Sequence, residues 1–112
     1  MTILILPLLN VSESALSDLQ KELGNIFLSK VELEDPIRSL PEDTYDKERE
    51  QYKAEELISF LERTVTDYPV NKIIAVTTAD MYAKGLNFVF GIAQKKGKLA
   101  LISLYRLNQR FY

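Results

Sequence analysis

Two short runs, one at the start of the chain and one two-thirds along it, leave few folds open. Thr2-Ile3-Leu4-Ile5-Leu6 and Lys72-Ile73-Ile74-Ala75-Val76-Thr77 are almost unbroken in apolar residues. A strand with one wet face alternates polar with apolar. These do not, so each demands cover on both faces, as strands of a parallel sheet have. Pro7 has no N–H to give to a ladder, so pairing is expected to end there, or the strand to lie near an edge at that point.

The cover is legible between the runs. Leu16, Leu19, Leu23 and Ile26 recur at helical spacing, with Asn10 or Ser12 as N-cap, Glu13 at the positive end of the dipole and Gly24 as the left-handed terminator. Glu50 to Thr66 forms a second helix, with Ala54, Leu57, Ile58, Leu61 and Val65 on one face, stopped by Tyr68-Pro69. Phe27 to Glu34 alternates near its end and predicts a half-exposed strand closed by Asp35-Pro36. Ile37 to Lys47 reads as a surface loop, and Asp80 to Leu86 as a connector. Phe88 to Gln94 and Leu99 to Leu107 predict two strands joined through Lys95-Lys96-Gly97-Lys98 as an antiparallel hairpin. The order is strand, helix, strand, helix, strand, strand, strand. That predicts one α/β domain: a mixed, mostly parallel, five-stranded twisted sheet with two helices and an antiparallel edge strand near its C-terminal part.

Composition limits function. A chain of 112 residues fits one small domain. Net charge is −2, which gives no strong pull toward nucleic acid or an anionic membrane. The apolar start lacks a basic n-region and is too short for a membrane span. There is no cysteine, hence no disulfide framework and no thiolate metal site, and a reducing cytoplasmic setting is expected. There is also no histidine. Ser103 therefore has no imidazole base and is no ordinary serine nucleophile. Asp43, Asp46, Glu48 and Glu50 lack the glycine and terminal glutamate of a calcium loop and read as a solvated helix entry. Tyr45, Arg49 and Tyr52 are expected to pin that loop onto the second helix, with Arg49 able to pair an acid on the same face. Asp80 is expected to cap the connector after it. Lys95, Lys96 and Lys98 make a small basic turn that guards the hairpin against edge pairing; joined with Arg106 and Arg110 it would be a nucleic-acid surface, which the net charge disfavours.

Several segments, in order, resemble one family. Ile5-Leu6-Pro7-Leu8 resembles the opening strand of archaemetzincins. Tyr45-Asp46, Arg49 and Gln51-Tyr52 are similar to their pattern at the second helix, and Val76 to Tyr82 to the end of their third strand. Gly85-Leu86-Asn87-Phe88-Val89-Phe90-Gly91-Ile92-Ala93 resembles the segment before their metal site, and Ser103-Leu104-Tyr105-Arg106-Leu107 with Phe111-Tyr112 the run before their catalytic helix. The resemblance implies the N-terminal subdomain of a metzincin-type zinc metallopeptidase. In that family HExxHxxGxxH supplies three zinc-binding histidines and a glutamate base, and downstream cysteines hold a second zinc. No position here matches either set, so zinc is implied for the full-length family and no cofactor for this chain.

What the resemblance carries over is the strand that aligns substrate, placed at Asn87, Phe88, Val89, Phe90, Gly91, Ile92 and Ala93. Its expected partners are an extended peptide or protein substrate and a C-terminal catalytic subdomain. An edge strand offers unpaired amides and carbonyls to an extended peptide, and Gly91 permits close backbone approach. The other readings are a stand-alone, non-catalytic module that binds a peptide or partner strand, and a truncated product with a sticky uncovered face.

Overall fold

The computed structural model describes residues 1–65 and 67–106. Its main sheet has five strands: β1 (Thr2–Leu8), β2 (Lys30–Leu33), β5 (Lys72–Thr77), β7 (Gly91–Ala93) and β8 (Leu99–Ser103). They lie in the order β2-β1-β5-β8-β7. The first four are parallel, and β7 runs antiparallel to β8 at one edge. Helix α1 (Glu13–Phe27) and helix α2 (Ala54–Val65) cover opposite faces.

Alternation along β1 explains the layers. Leu4, Leu6 and Leu8 join Leu57 and Leu61 of α2, Ile73 and Ala75 of β5 and Leu101 of β8 in the larger core. Ile5 turns the other way, to Val76 and to Leu16 of α1. An unbroken apolar run is thus what a strand between two helices requires.

Pro7 stands inside the ladder rather than at its end. Pairing with β5 continues through Pro7↔Val76 to Leu8↔Thr77, while pairing with β2 stops at Ile5↔Leu33. The carbonyls of Ile5 and Pro7 accept from Glu34 and Ile37, both at 2.9 Å, so the odd residues of β1 direct their polar groups to the β2 flank. The missing N–H of Pro7 faces that flank, where it costs β5 nothing.

Ser12 caps α1, its hydroxyl accepting from the Ala15 amide at 3.1 Å. Gly24 does not end the helix; Leu28 does, at φ 48°. Helix α1 runs past Gly24 through Phe27, so strand β2 begins only at Lys30. Ile26 falls off the buried stripe and is 67% exposed.

The expected loop from Ile37 to Lys47 holds more structure than its polar sequence predicts. Leu8 and Ile37 form a parallel bridge. A 3-10 turn (Glu42–Thr44) buries Thr44, and β3 (Tyr45–Asp46) follows. With β4 (Gln51–Lys53) and β6 (Met81–Tyr82) it makes a second sheet, ordered β3-β4-β6. Residues 51–53 are therefore strand, not the first turn of α2, and the connector from Asp80 to Leu86 contains β6. The turn Ala83 to Leu86 closes by a 2.9 Å amide–carbonyl bond with Gly85 at φ 83°, a conformation glycine adopts without a steric penalty. Strand β8 ends at Ser103 and Tyr105-Arg106 turn helical. The rest of the expected strand, Leu107, lies outside the described residues, as do Arg110, Phe111 and Tyr112.

Candidate functional site

The hairpin forms as its sequence predicts, but its first strand is shorter. Pairing runs Gly91↔Ile102, Ile92↔Leu101 and Ala93↔Ala100. Phe90 lies just outside, its carbonyl accepting from Ser103 N–H at 2.8 Å, and Gln94 N–H donates to Leu99 at 3.1 Å. Bonded pairs alternate in an antiparallel ladder, so Phe90, Ile92 and Gln94 face β8. Gly91 and Ala93 turn their amides and carbonyls to the open edge. Val89 also faces outward, but its amide is taken by Met81 carbonyl at 3.0 Å. Of the predicted set, then, Gly91, Ile92 and Ala93 form the edge strand, while Asn87, Phe88, Val89 and Phe90 form a shoulder that leads into it. Ile92 and Val89 pack on the α2 core. A Cβ on Gly91 would lie 3.0 Å from the Leu101 carbonyl and 3.2 Å from Ile102, so the close approach this glycine permits here is to β8.

The shoulder is held by a polar hub drawn from distant parts of the chain. Arg49 Nη2 donates to the carbonyls of Leu86 (3.3 Å) and Asn87 (3.1 Å), and Nε to Gln51 Oε1 at 2.9 Å. Its guanidinium lies 3.8 Å from the centre of the Tyr82 ring. Gln51 Nε2 donates to Asn87 carbonyl and to Asp80 Oδ2, each at 2.9 Å. Asp80, 8% exposed, receives Arg106 through Nε (3.2 Å) and Nη2 (2.8 Å). That carboxylate holds the Arg106 guanidinium above its ordinary pKa.

Arg106 in turn lies 4.5 Å from the centre of the Phe88 ring, and Phe88 meets Phe90 edge to face at 5.3 Å. Both rings remain partly exposed, at 37% and 46%. Arg49 thus pins the shoulder, not α2, because the Leu86 and Asn87 carbonyls need donors. Asp80 serves an ion pair, not a cap. Both assignments depend on partners dozens of residues away, which local spacing does not reveal.

Other candidates resolve similarly. Asp46 accepts from Glu48 and Arg49 amides and, at 2.9 Å, from the Tyr82 hydroxyl. The Arg49 amide and then that hydroxyl lower its carboxyl pKa, and Tyr82 is raised in return. Ser103 donates to the Ala79 carbonyl at 2.6 Å and accepts from the Tyr105 amide, so its hydroxyl is a brace. Arg106 faces Asp80 and does not join the lysine turn. Among the described residues no group of three acidic, histidine or cysteine side chains converges to hold a metal, and no helix is long and apolar enough to cross a membrane.

The same hairpin and hub geometry belongs to a chain with clear relatives. The model of Peptidase family M54 matches residues 4–112. The archaemetzincin of Sulfolobus acidocaldarius is 33% identical over 98% of this chain and 60% of its own length. That of Pyrococcus furiosus is 35% identical over 98% and 59%. This chain therefore spans about 60% of the length of the curated relatives it matches. Among solved structures, archaemetzincin from Archaeoglobus fulgidus, complexed with malonate, superposes with a TM-score of 0.81 at 33% identity, covering 96% of this chain and 63% of that one. Archaemetzincin from Methanopyrus kandleri gives 0.75 at 32% identity, covering 95% and 59%. Sequence and fold agree, and the chain belongs to peptidase family M54, alongside the archaemetzincins.

Proposed function

We propose that this chain provides the peptide-aligning side of an archaemetzincin-type zinc metallopeptidase. An extended substrate adds to the free edge of β7 and bonds the outward amide and carbonyl groups of Gly91 and Ala93, with Asn87 to Phe90 as the shoulder beside it. The supporting observation is the orientation of those groups at the sheet edge in a member of this family. The residues present do not fit a catalytic zinc: the sequence has neither histidine nor cysteine and the described acids do not converge. Metal binding and water activation are accordingly assigned to residues outside this sequence, and none of the chemistry to residues within it. A cytoplasmic setting accords with the absence of cysteine.

The test is an NMR titration of the 112-residue chain with a library of extended decapeptides. The Gly91 and Ala93 amides should shift and exchange more slowly with solvent. Ala93→Pro is the sharp variant, because it removes an outward donor and leaves the bonds to β8 intact; it should lower affinity at least about fivefold. Equal binding by the variant, or no response at Gly91 and Ala93, overturns the reading.

The lack of zinc ligands also favours a second reading, a module that binds a strand and cleaves nothing. The intact mass of the native polypeptide separates the two. A product of 12.9 kDa supports the module; a larger one carrying an HExxH segment supports the peptidase.

A further inference from the structure

Beside the hub, at the carboxyl ends of β5 and β8, lies an open cleft of about 440 Å³ with an unusual lining. It is lined by Tyr45, Tyr52 and Tyr105, by Glu50, and by Thr78, Ala79 and Asp80. Tyr45 and Tyr52 are cross-strand partners, so they share a face of the small sheet. Their ring centres are 4.8 Å apart with planes inclined by 60°, which makes a corner rather than a flat stack. Burial, and then Tyr45, raise the pKa of Tyr52.

The charges around the cleft favour a cation. Arg106 is 5.9 Å from the Tyr105 ring but is bound by Asp80. Arg49 is turned onto Tyr82, and Lys53 donates to the Asp43 carbonyl at 3.0 Å. Glu50 makes no ion pair among the described residues. It is also held at φ 55°, where a glutamate is strained and asparagine or glycine is not. That conformation belongs to the four-residue loop between β3 and β4, which Glu50 ends, and it leaves the Glu50 carboxylate without a cationic partner among the described residues, beside three tyrosines.

We propose that this cleft binds an organic cation, an alkylammonium or guanidinium group, between the tyrosine faces with Glu50 as counter-charge. The inference does not depend on the edge-strand reading. The cation comes either as a free amine or as the basic side chain of a peptide.

The experiment follows tyrosine ring signals of the full 112-residue chain during titration with tetramethylammonium, and with tert-butanol as its neutral isostere. Tyr45, Tyr52 and Tyr105 should respond saturably to the cation, with a Kd on the order of millimolar, and not to the alcohol. Glu50→Asn should weaken tetramethylammonium binding about three- to tenfold while keeping or raising Tm, since asparagine accepts the left-handed conformation. A merely structural Glu50 would not separate those two readouts. Tyr45→Phe, which keeps the ring, should bind as the parent does. Equal response to tert-butanol, no response at these three tyrosines, or unchanged affinity in Glu50→Asn overturns the proposal. A second arm compares butylamine with a lysine peptide and its norleucine twin. Tighter binding of the lysine peptide than of butylamine identifies a peptide source; equal binding identifies a free amine.

Discussion

The two faces of the central sheet are built to different standards. On the α2 face, Leu57 and Leu61 of the helix, Leu4, Leu6 and Leu8 of β1 and Leu101 of β8 are all buried, and Met81 of the small sheet closes the side. On the α1 face Ile3, Ile5 and Pro7 of β1 are buried with Leu16 and Val76, while Leu19, Leu23, Ile74 and Ile102 are only partly covered. Gly91 and Ala93 on β7 are exposed on that side, and at the C-terminal end of α1 Phe27 is 52% and Leu28 91% exposed. The difference teaches where the fold's stability resides. One face is a finished core; the other carries apolar surface that nothing among the described residues covers.

Mutations can break or sharpen that contrast. Leu57→Ala removes a fully buried side chain from the finished face and should cost about 3 kcal/mol in urea unfolding. Ile102→Ala, on the open face, should cost only about 1 kcal/mol, because its site is already partly wet. Equal losses would abolish the distinction. Leu28→Gly should stabilise by about 0.5–1 kcal/mol: the left-handed cap is relieved and almost no burial is lost. A loss of Tm in that variant would mean that Leu28 is covered in solution.

The smallest effect concerns the annex beside α2. The Asp46 pKa is lowered from 3.8, so its contribution is fully present above 3.8 and fades as pH falls through the lower folded-state value. Tyr82→Phe removes one donor to that carboxylate. The stability gap between the parent and this variant should be constant near neutral pH and close as pH falls below 3.8 and through the lower folded-state value. A gap that persists in acid would show that Tyr82 acts through packing on Arg49 instead.

The same contrast explains what was legible in the sequence. The runs at Thr2 and Lys72 and the stripes of both helices state their surroundings directly, because burial on two faces and burial on one leave different periodicities. The parallel order and the antiparallel edge hairpin followed from them. The small sheet did not show, since strands as short as Tyr45–Asp46 and Met81–Tyr82 have no period, and Gln51 to Lys53 blended into the helical pattern of α2. Leu28 as the left-handed cap was hidden by Gly24, the residue with the intrinsic preference. Gly91 to Ala93 were found at the edge, but the hub of Arg49, Gln51, Asp80 and Arg106 depends on contacts across 26 to 38 positions, for which no spacing rule exists.

Proline at position 7 has one more consequence. Because β1 is apolar on both sides, hydrophobicity scarcely distinguishes one alignment with its neighbours from the next. Sliding the strand by a single residue would swing the imide nitrogen toward β5 and forfeit a ladder bond there. One imino acid thereby tells the two sides of the strand apart and penalises the out-of-phase assembly that its greasy neighbours would tolerate.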